Sequence, residues 1–463
     1  MGTTERFDTV IIGAGMSGLA AGIRLTQFDQ RVLIVEKHYL WGGLNSYYKR
    51  AGRRFDVGLH ALTNYVGAEE PGAKQRPLGR ILRQLRLSRD EFSLGEQVGS
   101  SSRFPGVSLR FSNDFELLRQ DVHQNFPSEA EGFDRLAREI GGYPEQQAGP
   151  ASARAVLAEY IADRQLVDLL LLPILYYGSP TENDLDWNAF VVLWKSLYEE
   201  GFARPAGGVR TILDVLRGRY LANGGELRMK CGVERVIQKD GVAVGLELEN
   251  GTEVRADRIL SSAGYAETLR LSGQVPEEKD LGKLSFVESI SILDRDPAAF
   301  GFDETIVFFN TAERLVYARP DEPVDYRSGV ICCPNRYASS EASMDPAVRL
   351  TLLANHDRWS ALGEDDYAAL KEDVWDKGYG VLANLIGDVR PSVVFKDTFT
   401  PRTIEHFTGH FGGAVYGCPE KRYSGEIGIP GLYLCGTDQG MLGIVGAMLS
   451  GIHMANRHAL VNA

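Results

Sequence analysis

Apolar residues run along this chain in short blocks whose periodicity changes from block to block. Residues 8–12 (DTVII) make a compact apolar run, the pattern of a buried strand. Gly13, Gly15 and Gly18 punctuate the next stretch, and Leu19, Ile23 and Leu25 then recur at helical spacing. A second strand-like run, residues 31–35, ends in Glu36. Far downstream, residues 432–435 again predict a strand, followed by a glycine-rich turn (Gly436, Asp438, Gly443, Gly446) and an apolar helix. A middle stretch predicts a helix over 211–221, then a β-meander with a hairpin at Asn250-Gly251 and a closing strand-turn at 257–264.

The intervening stretches differ in character. Residues 63–203 read as mainly helical. Ser128 and Glu131, after Pro127, fit a capping box that opens a helix with Phe133, Leu136, Ala137 and Ile140 on one face. Residues 276–417 mix alternating strands (285–293, 305–309) with a long amphipathic helix near 365–386. No internal repeat, low-complexity tract or heptad pattern is present.

With 463 residues, 44% of them hydrophobic, the chain has material for two or three domain-sized units. The 51 glycines exceed ordinary usage and fit tight turns and close approaches of backbone to a ligand. A net charge of −12 argues against a nucleic-acid partner, because phosphate contacts need a basic field. Five scattered cysteines form neither a disulfide framework nor a zinc pattern, nothing calls for a metal, and Cys332-Cys333 read as core residues. No secretory leader pattern opens the chain, and no apolar stretch approaches the roughly 20 residues of a membrane span. A cytoplasmic protein is the expectation.

Two stretches qualify it. Residues 78–91 set Leu78, Ile81, Leu82 and Leu85 beside Arg80, Arg83, Arg86 and Arg89. This is either a basic amphipathic helix in transient, peripheral contact with an anionic bilayer, or a surface helix packed on the body. Residues 166–178 are apolar all round and broken by Pro173, so they line a hydrophobic tunnel or fill a core.

The chemistry begins at the first glycine turn. Gly13 allows the tight turn, Gly15 lets backbone approach a diphosphate, and Gly18 allows close helix–strand packing. The helix that starts at Met16-Ser17 offers free N–H groups and a positive dipole end. Glu36, about 20 residues on, is placed to accept from ribose hydroxyls. Order and spacing together define a dinucleotide-binding βαβ unit, without separating NAD from FAD.

Gly42-Gly43-Leu44 and Phe55-Asp56-Val57-Gly58-Leu59-His60 come next. A paired glycine followed by F-D-x-G resembles the signature of the flavin amine oxidase and phytoene desaturase superfamily. The Gly436–Gly446 stretch resembles its closing motif. Arg204-Pro205-Ala206-Gly207-Gly208, Gly224-Gly225 and Val233-Glu234-Arg235-Val236 resemble its return segment. The resemblance covers essentially the whole chain and implies FAD as cofactor. It implies FAD contacts at Gly13, Gly15, Met16, Ser17, Gly18, Glu36, Lys37, Gly42, Gly43, Leu44, Gly58, His60, Val233, Gly436, Asp438, Gly443 and Val445. The implied fold is α/β: a discontinuous, glutathione reductase-like Rossmann-type FAD-binding domain (1–62, 204–275, 418–463) with an inserted α+β substrate domain (63–203, 276–417).

Thr400-Pro401-Arg402-Thr403 with Gly409 and Gly412-Gly413 resembles the branch of carotenoid desaturases, carotene isomerases and retinol saturases. Asp56–His60 is nearest the retinol saturase form. Leu44 departs from the family, where many members carry arginine. The implied activity is hydride exchange between flavin N5 and a carbon of a hydrophobic polyisoprenoid, by desaturation, saturation or cis–trans isomerisation. His60 is the candidate catalytic acid or base, with a purely structural role as the alternative. Covalent flavin attachment through Cys418 or Cys435 is a further option. An amine or amino-acid oxidase and a non-enzymatic prenyl-lipid carrier are the competing readings.

Overall fold

The computed structural model describes residues 5–58, 60–143, 151–338 and 345–460; residues 1–4, at the start of the chain, and Leu59 of the F-D-x-G segment lie outside it. Two seven-stranded sheets organise the chain. The first runs Val233–Lys239, Val242–Leu248, Glu253–Ser261, Glu5–Ile12, Val32–Glu36, Glu226–Met229. Leu432–Leu434 pairs in parallel with the last part of Glu253–Ser261, whose earlier part pairs antiparallel with the meander. The central strands are parallel to one another. Val32–Glu36 is buried at every position, as expected for a parallel strand covered on both faces.

Helices Met16–Thr26, Val209–Ala222 and Gly443–Met454 share one apolar cluster against this sheet, with Leu19, Ile23, Leu216, Tyr220, Met448 and Ile452 inside it. Here small residues decide the geometry. A Cβ at Gly18 would lie 2.1 Å from the Gly13 carbonyl oxygen, and one at Gly451 would lie 2.0 Å from the Ser17 carbonyl oxygen. The first and last helices therefore meet backbone to backbone.

The second sheet runs Val393–Phe399, Ser285–Leu293, Ala347–Ala354, Val324–Cys332, Ile306–Asn310, Ser100–Phe104, Val107–Phe111. Its pairs are antiparallel except Ile306–Asn310 with Ser100–Phe104. Helix Glu364–Ile386 packs Trp375, Tyr379 and Leu382 against Val348, Leu350 and Leu352. Helix Arg164–Gly178 is joined to the sheet by Ser102, whose Oγ donates to the Leu169 carbonyl at 2.8 Å. That helix is almost wholly buried, so residues 166–178 are mostly core, and Tyr176 and Tyr177 at its end reach the cavity between the sheets. Cys332 and Cys333 are core residues.

Three expectations are corrected. Residues 63–203 are mainly helical but also supply the hairpin Ser100–Phe104/Val107–Phe111 to the second sheet. Ser128 does not cap the helix. A short 3-10 turn, Pro127–Glu129, precedes helix Ala130–Gly142, and Glu129 instead accepts from the Ala162 N–H at 2.9 Å; Phe133, Leu136 and Ile140 still face inward, with Ala137 half-buried. Residues 78–91 are not one helix. Pro77–Leu85 stops where Arg86 turns left-handed (φ 54°), and the Leu87 N–H closes onto the Leu82 carbonyl at 2.8 Å. Leu78, Ile81, Leu82 and Leu85 are buried against the first and last helices, so this stripe is spent on the body.

Gly451→Ala should lower the unfolding free energy by about 1–3 kcal/mol, because the crossing has no room for a methyl group. Urea denaturation checks this. A Gly428→Ala control, where a Cβ meets nothing within 4 Å but φ is 83°, should show only the smaller cost of left-handed backbone.

Candidate functional site

A cavity of about 640 Å³ opens where the two sheets face one another. One arm is bounded by Met16, Ser17, Glu36, Gly42, Gly43 and Gly436. A Cβ added at Gly15 meets no atom within 4 Å, so this turn offers bare backbone, whereas one at Gly13 (φ 95°) would strike the Ser262 hydroxyl at 2.4 Å. Gly13 and Gly18 thus shape the turn, and Gly15 is open. Neither helix Met16–Thr26 nor helix Gly443–Met454 has a side-chain cap at its N-terminus, and Gly443 and Ile444 line the cavity. Two uncapped helix starts and bare glycine backbone fit a ligand carrying phosphate and polar groups.

Met16, Ser17, Glu36, Gly42, Gly43, Leu44, Gly58, His60, Gly436, Asp438 and Gly443 all lie in the cavity wall. Gly58 lets its segment pass the Leu44 carbonyl, which a Cβ would approach to 2.5 Å. Both acids have structural duties as well. Glu36 accepts from the Ala14 N–H (2.8 Å) and the His38 N–H (2.9 Å), bracing the glycine turn. Asp438 accepts from the Tyr265 N–H (2.6 Å) and the Cys418 N–H (2.8 Å), with Lys421 at 3.5 Å.

Six implied contacts fall outside the wall: Gly13, Gly15 and Gly18 of the adjoining turn, and Lys37, Val445 and Val233. Lys37 points toward Gly409, where a Cβ would lie 2.4 Å from its Nζ. Val445 is fully buried in the cluster beneath the helices. Val233 opens its strand opposite Leu248, away from the cavity.

The second arm is walled by Tyr176, Tyr177, Leu193, Phe286, Val330 and Tyr416. The Phe286 ring lies 5.8 Å from both Tyr176 and Tyr416. Burial pushes the phenols of Tyr176, Tyr177 and Tyr416 far up, so they stay neutral. Burial also pushes the Cys435 thiol up to about 12 and the Cys418 thiol higher still. Thiols held protonated by burial are poor nucleophiles, which weighs against covalent attachment.

His60 stands at this arm among partners that local sequence hardly signals. Its Nε2 lies 3.1 Å from the Thr351 hydroxyl and 3.3 Å from Glu288. Glu288 is paired with Arg349, which also donates to the Val57 carbonyl at 2.6 Å. The His60 carbonyl accepts from the Tyr337 hydroxyl at 2.9 Å. Burial opposes ionisation of Glu288, but the Arg349 guanidinium, with His60 next, outweighs it and holds the carboxyl below its usual range. One signal existed: Glu288 and Arg349 are charges inside strands whose other positions are buried. Beneath the same segment, Asp56 pairs with Arg204 and accepts from the Val209 N–H at 3.2 Å, tying it to the return helix.

Fold and site together define a flavin-dependent oxidoreductase. The sequence matches the model of the flavin containing amine oxidoreductases over residues 16–457, and the chain belongs to that family. It is similar to prolycopene isomerase, chloroplastic, of Arabidopsis thaliana (25% identity; 99% of this chain, 83% of that one). It is similar also to all-trans-retinol 13,14-reductase of Danio rerio (23%; 96% and 84%). An oxidoreductase from Methanosarcina mazei shares the fold, with TM-score 0.67 and 18% identity over 97% of this chain and 99% of that one. Among the described residues no helix is long and apolar enough to cross a membrane.

Arg349→Met would strand the buried Glu288 carboxylate and should cost about 3–5 kcal/mol in chemical denaturation, with Glu288→Leu/Arg349→Met recovering much of it. The depressed Glu288 contributes stability above its unfolded value of 4.5 that is lost as pH falls through the lower folded value. Glu288→Gln should therefore show a shallower acid loss below about pH 4.5 than the unaltered protein.

Proposed function

We propose that this protein is an FAD-dependent oxidoreductase acting on C–C and C=C bonds of a hydrophobic polyisoprenoid: a carotenoid, a retinoid or a related chain. The observation that carries the reading is one cavity that joins a dinucleotide-shaped glycine groove to an aromatic and aliphatic chamber. Bound flavin supplies hydride exchange at N5. The chain's own residues orient an uncharged substrate by shape and keep water from it. His60, held by Thr351 and Glu288, moves or holds the accompanying proton at Nε2. Glu288 is already committed to Arg349 and His60, so a cationic amine finds no spare carboxylate there. That commitment weighs against an amine oxidase.

The domain division that goes with this reading is an FAD domain of residues 1–62, 204–275 and 418–463, and a substrate domain of 63–203 and 276–417. The two sheets draw their strands from these sets. We place the protein in the cytoplasm, touching a bilayer transiently where its water-insoluble substrate resides, and not on nucleic acid. A second reading, cis–trans isomerisation without net oxidation, is favoured by the similarity to prolycopene isomerase.

The test is anaerobic incubation of the flavin-loaded protein, with the flavin oxidised and separately with it reduced by dithionite, with phytoene, lycopene, squalene, retinol and simple amines. Bleaching of the oxidised flavin, or its return from the reduced one, is followed. Either change with a two-hydrogen change in product mass supports the redox reading; an isomer of unchanged mass supports the second. Bleaching by simple amines alone would sink both. His60→Gln should slow the reaction by roughly 10²–10⁴-fold if His60 transfers the proton.

A further inference from the structure

The segment after helix Pro401–Thr408 reaches the cavity, where His410 lines the wall. Gly409 turns left-handed (φ 78°) against Lys37, the residue after Glu36. On the far side, His410 Nδ1 lies 3.5 Å from Glu267 and against Gly264, at the end of the strand-turn whose Ser262 abuts Gly13. His410 therefore follows a residue packed on Lys37, faces Glu267 and Gly264, and shares the cavity wall with Glu36, Ser17 and Asp438. Its Nε2 has no partner among the described residues. Glu267 is itself held in place, accepting from the Phe411 N–H at 2.8 Å.

The other basic side chains of the wall include His60, held by Thr351 and Glu288, and His38, whose Nδ1 lies 3.1 Å from the Leu40 carbonyl and whose ring meets Tyr39 and Phe407. Arg50 pairs with Asp397, Lys371 lies over the Tyr367 ring, and Lys49 is exposed on its hairpin. The glycine pair Gly42-Gly43 is followed by the uncharged Leu44. Besides His38, a diphosphate in this groove would meet backbone N–H groups, helix dipoles and the hydroxyls of Ser17, Ser262 and Thr437, none of which carries a full charge.

We propose that His410 is the cation that closes over the diphosphate of the bound dinucleotide, donating from Nε2, with Glu267 orienting it through Nδ1. The inference rests on the FAD reading and adds a residue to it. Burial disfavours the imidazolium, but the hydrogen bond and charge of Glu267, with Asp438 helping and Lys37 opposing, raise its pKa above the ordinary histidine value. The charged groups around it are Glu267, Asp438 with Lys421, Lys37, and Arg270 over the Phe411 ring. A raised pKa keeps the cation to higher pH than an ordinary histidine would and loses it as pH rises further.

Titration of apoprotein with FAD, followed by flavin fluorescence, tests this without reference to turnover. FAD affinity should weaken by about tenfold as pH rises from 6 to 9, the size expected for a charge-assisted hydrogen bond. His410→Gln should bind weakly at both pH values, His410→Arg should bind tightly at both, and Glu267→Gln should move the midpoint to lower pH. On the unaltered apoprotein, which no folding defect can confound, ADP titrated alone by calorimetry should bind more tightly at pH 6 than at pH 9, while adenosine titrated alone should show no such change. Equal FAD affinity in His410→Gln with an unchanged pH profile overturns the proposal. So does identical pH behaviour of ADP and adenosine. Failure of the apoprotein to bind FAD at any pH would overturn the cofactor reading and this inference together.

Discussion

The architecture depends on one steric constraint, the absence of side chains where the first and last helices cross. Gly451 sits against the Ser17 carbonyl at a distance no Cβ tolerates, and Gly18 lets the first helix fold as closely onto its own entry turn at Gly13. That approach brings the two uncapped helix starts to the same groove and holds Gly436 beside Ser17, where a Cβ would lie 3.0 Å from the hydroxyl. Without it, the two halves of the site would be separate glycine turns, each too weak a dipole to select a ligand.

The second organising element is a line of charge in a dry place. Arg349, Glu288 and His60 run from the second sheet toward the cavity, with Thr351 bridging the last step. A low dielectric strengthens these contacts and makes any broken one costly. Because Arg349 also grips the Val57 carbonyl, the segment that carries His60 is pinned from the sheet side, while Asp56 and Arg204 pin it from the other. The histidine is thus oriented by two different parts of the chain.

Legibility in the sequence depended on which residues have no substitute. Gly13, Gly42, Gly43, Gly436 and Gly443 all take positive φ, and only glycine does so readily; their positions announced the turns and most of the groove. The parallel strands were readable as continuous apolar runs. The Glu288–Arg349 pair was not, since its members are 61 residues apart and join across two strands whose register no local pattern encodes. The end of the 77–85 helix was hidden because Arg86, not glycine, takes the left-handed turn. Ser128 misled because Pro127 began a 3-10 turn one step before the helix, leaving the serine inside it. Lys37 and Val445 were carried into the site by their neighbours in sequence, yet Lys37 follows a strand, where successive side chains point to opposite faces, and Val445 lies on the buried side of a helix.

The pairing of Leu432–Leu434 with Glu253–Ser261 bears on how such a chain is made. On the ribosome, the N-terminal βαβ unit emerges long before residues 432–454, and until they arrive Leu19 and Ile23 lack part of their cover. Contacts of such sequence separation form slowly, and partly covered apolar surface invites aggregation meanwhile. Cofactor loading must then be a late, post-synthetic event that commits an almost finished chain. Flavin supply during expression becomes a determinant of yield, not only of activity.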